Sequence, residues 1–249
     1  MIDMHTHILP NIDDGADDIS TAAELLRLEA EQGIKEIVFT PHYDGKKNVA
    51  EFLELRMEAF ESIKKYVPKG MKTRLGTEVL LTGINDPTDE ALCALAIEGT
   101  KCVLIELPFS AEWSDRLWDK LANFVSDTGY TPIIAHVERY QEALENPIVV
   151  SYLIDMGCLI QLNAEAFLKK KTRRFAFALL KHGLVHCIST DTHDLSSRAP
   201  DYQEVKALIC KKGCEDEWTD VQWCMKKILV GEAVRKPKKN VRKLWNWYF

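Results

Sequence analysis

Met1-Ile2-Asp3-Met4-His5-Thr6-His7 opens the chain, and its reading as a first strand organises the rest. Side chains two apart in a β-strand point to the same side. His5 and His7 therefore project together from one strand face, at a separation suited to sharing a divalent ion. A His-x-His pair alone carries little weight. Here His, Asp and Glu recur downstream, each at the end of an apolar run.

Those runs read as further strands at 34–40, 73–81, 101–107, 131–136, 158–163 and 185–190. Helical patterns separate them. The first carries Ala22, Ala23, Leu25, Leu26 and Leu28, is capped by Asp18 or Ser20, and closes near Gly33. Another bears Phe52 to Ile63 and is stopped by Pro68 and Gly70. Others fall at 88–97, 113–127, 147–156, 172–182, 201–211 and 216–229. Short apolar strands alternating with helices demand parallel pairing through crossover helices. A closed barrel and an open doubly wound sheet both satisfy that pattern. No Gly-rich phosphate loop follows any strand, which weakens a nucleotide-binding sheet. At 249 residues, the chain is expected to form one α/β domain of barrel size spanning 1–249.

The formal net charge of −6 argues against broad binding to nucleic acid. The basic residues Arg235, Lys236, Lys238, Lys239, Arg242 and Lys243 crowd before Trp245, Trp247, Tyr248 and Phe249; they read as a solvated face with an aromatic end docked on the body. No apolar stretch approaches the roughly 20 residues of a membrane helix. With no signal peptide either, a cytoplasmic protein is expected. Seven cysteines, odd in number and irregularly spaced, fit reduced thiols in that compartment. Cys210 and Cys214 read as structural, since no second Cys pair completes a zinc site.

The strand ends repay comparison. They carry His5 and His7, then Thr40-Pro41-His42, Gly76-Thr77-Glu78, Glu106-Leu107-Pro108, His136-Val137-Glu138-Arg139, and Asp191-Thr192-His193. In a parallel barrel all C-terminal strand ends meet at one mouth. Imidazoles and carboxylates are costly to bury without a partner, so a common cationic partner follows. Imidazole and carboxylate without thiolate suits Mn²⁺, Fe²⁺ or Zn²⁺. Roughly nine donors are too many for one ion. Two or three ions sharing a bridging carboxylate are expected, a device that clamps a phosphoryl group for in-line displacement.

His5-Thr6-His7, the loop Ile12-Asp13-Asp14-Gly15 and Thr40-Pro41-His42 resemble the polymerase and histidinol phosphatase (PHP) superfamily. More narrowly, residues 1–15, Ala135-His136-Val137-Glu138-Arg139 and Asp191-Thr192-His193 resemble the manganese-dependent bacterial protein-tyrosine phosphatases of capsule and exopolysaccharide operons. The likeness runs from residue 1 to about residue 200, in the family's order. It implies a distorted, TIM-like (β/α)7 barrel with three divalent ions, manganese before iron or zinc. By matching position, His5, His7, Glu78 and Asp191 would hold one ion. Glu78, Glu106 and His136 would hold a second, with Glu78 bridging. Asp14, His42 and His193 would hold the third. Arg139 and Arg198 fall at positions that the resemblance assigns to phosphate. The departures are modest: Thr77 before Glu78, and Tyr43-Asp44-Gly45 after His42.

Each signal has a plainer reading. Asp14 precedes a glycine, which is common turn chemistry; the loop match tips it to a ligand. Glu138 has a supporting role orienting an imidazole as its sharper reading, and is not counted as a ligand. His182 and His186 have a helical metal spacing, but Gly183 intervenes; His182 then ends a helix and His186 opens a strand. Arg198 sits in a loop, where an arginine is often just solvated.

The function implied is hydrolysis of phosphotyrosine in proteins by a metal-activated hydroxide, without a cysteine phosphoenzyme. The implied partner is a bacterial tyrosine kinase of polysaccharide synthesis. A phosphatase of histidinol phosphate or another small ester is the alternative. A nuclease and a non-catalytic metal-bearing subunit come behind both.

Overall fold

Nine extended segments, all paired in parallel, run through the computed structural model, which describes residues 1–83, 89–109 and 113–234. They are β1 (Ile2–Thr6), β2 (Glu36–Phe39), β3 (His42–Tyr43), β4 (Lys72–Leu75), β5 (Glu78–Leu80), β6 (Cys102–Glu106), β7 (Thr131–Ile134), β8 (Leu159–Asn163) and β9 (Cys187–Ser189). Two breaks reduce these to seven strands. β2 stops at Phe39 and resumes as β3 at His42; beside it, β4 stops at Leu75 and resumes as β5 at Glu78. Register is kept across the break, with Phe39 opposite Leu75 and His42 opposite Glu78. Pro41 has no N–H for the ladder. Gly76 leaves room for a close approach: a Cβ there would meet Val38 at 3.1 Å.

The first and last strands meet. Thr6 bridges Thr192 in parallel, His7 N donates to Thr192 O (2.8 Å), and Asp191 N donates to His5 O (2.9 Å). The sheet therefore curls into a distorted barrel, and the open doubly wound alternative is excluded. The tail from Arg235 to Phe249 lies outside the described residues.

Around the strands lie α1 (Ile19–Glu31), α2 (Val49–Ile63), α3 (Asp89–Leu95), α4 (Asp115–Thr128), α5 (Gln141–Glu145), α6 (Ile148–Asp155), α7 (Arg173–Lys181), α8 (Tyr202–Lys211) and α9 (Glu215–Leu229). The cap of α1 is Asp18, whose carboxylate accepts from Thr21 N at 2.7 Å. α9 turns Trp218, Val221, Met225, Ile228 and Leu229 inward, a stripe at helical spacing, and packs on β9 and β1. The buried apolar side chains form one cluster running from Met4 to Leu229. No helix among the described residues is long and apolar enough to cross a membrane.

Eight helices match the sequence reading to within a few residues. α5 does not appear in it, because five residues are too short to display a period. The strand expected over 131–136 ends at Ile134, because His136 takes a left-handed backbone (φ 32°) and starts a 3-10 turn, Val137–Arg139.

His186 borders β9 as expected. Its Nδ1 accepts from Ile160 N (3.0 Å), and burial presses its pKa down to about 4. An unfolded imidazole titrates near 6.5. Between these values the unfolded chain takes up a proton that the folded chain refuses, so stability falls with pH by about 3 kcal/mol. In His186→Asn an amide oxygen replaces the acceptor without titrating. Its unfolding free energy, from denaturant melts, should decline less between pH 6.5 and pH 4 than that of the parent. Equal declines would contradict this assignment.

Candidate metal centre

Glu78 is the hub. Its Oε2 lies 3.1 Å from His5 Nε2, 3.2 Å from His7 Nε2 and 3.1 Å from His42 Nδ1. Its Oε1 lies 2.8 Å from His136 Nε2. Asp191 Oδ1 comes within 3.3 Å of His5 Nε2 and 3.4 Å of His7 Nε2. Glu106 Oε1 is 3.5 Å from His136 Nε2. Asp14 Oδ1 stands 3.4 Å from both His42 Nε2 and His193 Nε2. All nine residues singled out as ligands converge. Three tight donor groups result: His5, His7, Glu78, Asp191; His7, Asp14, His42, His193; and His42, Glu78, Glu106, where His42 takes the place expected of His136, which lies outside all three and meets Glu78 Oε1 and Glu106 Oε1 from the side.

Local structure explains the convergence. The break between β4 and β5 lets Arg56 reach in from α2, donating from Nη1 to Gly76 O and Thr77 Oγ1, both at 2.8 Å. That staple holds the backbone just before Glu78. The loop bearing Asp13 and Asp14 packs against β1 so closely that a Cβ on Gly15 would sit 2.0 Å from His7 O. Only glycine fits there. His136 and Asp191 (φ 55°) both occupy the left-handed region, uncommon for residues with a side chain. Each such strain costs about 1–3 kcal/mol and gathers at functional sites. Here it turns both side chains off their strands and into the mouth.

Three residues that sequence reasoning missed orient the candidate ligands. Asp13 Oδ2 lies 2.7 Å from His7 Nδ1 and accepts from His42 N (3.0 Å). Gln161 Oε1 lies 3.3 Å from His5 Nδ1 and accepts from His136 N. The Gln161 amide donates to Asn163 Oδ1 (2.9 Å), whose own amide donates to Asp191 Oδ2 (2.7 Å). An acceptor on Nδ1 holds the proton there and leaves the Nε2 lone pair facing inward. His193 obeys the same rule, with Asp191 O 2.8 Å from its Nδ1. A signal for the amides was present: Gln161 and Asn163 are polar, two apart, in the one apolar strand with no His or acid. Glu138 is buried and accepts from Asn163 N, so it meets the amide chain and no ligand imidazole directly.

The electrostatics describe a cluster short of positive charge. Burial works to raise the Glu78 carboxyl, yet His5 and His136 hold it well below the usual carboxylate range. Burial opposes the His136 imidazolium, yet Glu78 and Glu106 push it up to about 10. Burial opposes protonated His7 too, and Asp13 drives its pKa well above the ordinary value. Burial and the neighbouring His7 press His193 down to about 3. The buried carboxylates thus bring negative charge that a divalent cation would answer. Of the candidate ligand atoms that face the cluster, Glu78 Oε2, Asp191 Oδ1 and His193 Nε2 are buried without a hydrogen-bond partner. Donors of one ion, bound at about 2.0–2.2 Å, lie roughly 3.0–3.4 Å apart. The spacings around Glu78 Oε2 match that range, so the residues fit a metal cluster.

Arg139 and Arg198 stand at the rim. Arg198 Nη2 reaches Asp191 Oδ2 at 2.7 Å, and Arg139 Nη1 reaches the same oxygen at 3.5 Å. Arg139 lies over the Phe109 ring, 4.6 Å from its centroid. Both arginines line a cleft of about 530 Å³ with Asp14, His42, Glu106 and Phe109. Among the described residues, no cysteine lines it.

A model of the CpsB/CapC family, capsular polysaccharide synthesis, matches residues 1–229. The chain belongs to the CpsB/CapC family. Within that range fall all nine candidate ligands and both arginines. The tyrosine-protein phosphatase YwqE of Bacillus subtilis is 30% identical over 217 residues, 85% of each chain. The tyrosine-protein phosphatase CpsB of Streptococcus pneumoniae is 33% identical over 232 residues, covering 85% of this chain and 90% of its own. A solved structure from the pair YwqE and CpsB, described as unique metal-dependent tyrosine phosphatases, aligns with a TM-score of 0.76 at 26% identity. It covers 96% of this chain and 99% of its own. The family's barrel is thus the one seen here.

Proposed function

We propose that this chain is a metal-dependent protein-tyrosine phosphatase of the PHP type, formed as one domain over 1–249. The observation that carries the reading is the convergence of five imidazoles and four carboxylates beside two arginines. The likeness to YwqE and CpsB supports it. His5, His7, Glu78 and Asp191 would hold one ion, Glu78, Glu106 and His136 a second, and Asp14, His42 and His193 a third. When bound, divalent ions acidify water into a nucleophile and neutralise a transferring phosphoryl group. Manganese is the proposed ion, ahead of iron or zinc.

Arg139 and Arg198 receive the phosphoryl oxygens, for which a planar guanidinium fork is suited. Asp191 holds both forks toward the cluster in the meantime. Asp13, Gln161 and Asn163 keep the ligands aimed. The leaving phenolate has a pKa of about 10 and needs less protonation than an alkoxide would. An open cleft edged by Lys46 and Lys47 suits a polypeptide better than a small ester that would be enclosed. We further propose that the enzyme works in the cytoplasm, on a tyrosine kinase of capsule or exopolysaccharide synthesis.

Purified protein should be stripped with chelator, reloaded with Mn²⁺, and assayed on a phosphotyrosine peptide and on histidinol phosphate. Peptide turnover should vanish on chelation and return with the metal. Faster turnover of histidinol phosphate would favour the small-ester reading. A Cys→Ser series that abolished turnover, with His5→Ala still active, would end the metal reading.

A further inference from the structure

A second cleft, of about 440 Å³, adjoins the first and shares Phe109, Arg139 and Arg198 with it. Its far side is formed by the segment between β8 and α7, including Lys169 and Lys171. These belong to the run Lys169-Lys170-Lys171-Thr172-Arg173-Arg174, dense in positive charge on a chain of net charge −6. The run is anchored. Thr172 Oγ1 donates to Ala166 O (2.9 Å), and Arg173 Nε donates to Phe167 O (2.9 Å). Lys169 pairs with Glu165 at 2.6 Å, whereas Lys171 is exposed and makes no ion pair among the described residues. The other acid of the cleft, Glu138, is buried and turned to Asn163 N. Cationic groups therefore face the open space from two sides, and among the described residues that line it no exposed acid is left unpaired to answer Lys171.

We infer that this cleft is a subsite for an acidic side chain flanking the phosphotyrosine of the substrate polypeptide. The inference rests on the phosphatase reading and names the kind of substrate that site prefers. With the phosphoryl group on Arg139 and Arg198, the polypeptide passes the shared wall at Phe109. An extended chain advances about 3.3 Å per residue, so a residue one to three places away reaches the adjoining cleft. A carboxylate there meets Lys171, and Lys169 by exchange with Glu165. Complementary charge at such a rim raises the rate of encounter and selects among partners.

The test uses full-length Mn²⁺-loaded protein and phosphotyrosine peptides of equal length. Glu residues flank the phosphotyrosine on one side, on the other side, or are replaced by Gln; p-nitrophenyl phosphate is the small control. One Glu peptide should exceed the Gln peptide by about fivefold in kcat/KM, through KM, and the advantage should shrink in high salt. Lys169→Gln with Lys171→Gln should bring the two peptides level and leave p-nitrophenyl phosphate turnover unchanged. Fluorescence anisotropy of a non-hydrolysable phosphonate form of the same Glu peptide should weaken in parallel. Equal kcat/KM for Glu and Gln peptides in the parent protein would overturn the subsite while leaving the phosphatase reading intact. So would an equal loss on every substrate in the double variant. No turnover of any phosphotyrosine peptide would overturn both.

Discussion

Glu78→Gln is expected to lower phosphotyrosine turnover by on the order of 10³-fold, the largest effect of any single change in this protein. Glu78 Oε2 has three imidazole nitrogens within 3.2 Å, and Oε1 a fourth at 2.8 Å. An amide keeps the shape but removes a full charge and brings N–H donors into a place built for acceptors. No other carboxylate can bridge from the same position, so elemental analysis should show lost ions as well as lost rate. The fold should survive. His136 is raised to about 10 largely by Glu78, once burial is overcome. Without that carboxylate the imidazole can shed its proton, and no bare charge is left buried. Circular dichroism should be unchanged. A variant retaining activity within tenfold of the parent would remove Glu78 from the mechanism.

Arg198→Lys is expected to cost about 100-fold in kcat/KM with metal content unchanged. The guanidinium of Arg198 spans Asp191 Oδ2 at 2.7 Å and Asp14 Oδ2 at 3.8 Å, so it faces both the cluster and the open cleft. Lysine keeps the charge but offers a single donor centre, which cannot grip two phosphoryl oxygens as a fork. Arg139→Lys should resemble it and lose in addition the contact over Phe109. Metal analysis separates the two roles: a ligand substitution empties the site, and a rim substitution leaves it filled. Unchanged kcat/KM on phosphotyrosine peptide in both lysine variants would place the phosphate elsewhere.

The parallel α/β pattern was legible because strands buried on both faces read as short apolar runs, in which polar residues stand out; the choice of a closed barrel over an open sheet came from the family likeness alone. That contrast exposed His5, Glu78, Glu106, His136 and Asp191. Asp14, by contrast, sits in a turn with 65% of its side chain exposed, and only the family likeness distinguished it from ordinary turn chemistry. Asp13, its neighbour, went unread because a residue that holds a ligand has no spacing rule of its own. Gln161 and Asn163 were hidden by their chemistry: neutral amides are poor metal ligands, so their polarity in a buried strand drew no notice. The break at Thr40-Pro41 was marked by its proline, whereas the one at Gly76-Thr77 was read through as a single strand over 73–81. Their alignment side by side, which sets Glu78 opposite His42, follows from register and has no local signature.

Anomalous diffraction at the manganese edge, from crystals of the full chain grown with Mn²⁺, tests the central claim most directly. Strong peaks are expected among His5, His7, Glu78 and Asp191, with further peaks toward His136 and Glu106 and toward His42 and His193, and with Glu78 touching more than one ion. A crystal with these side chains in place, no anomalous signal among them, and undiminished phosphotyrosine turnover in chelator would contradict it.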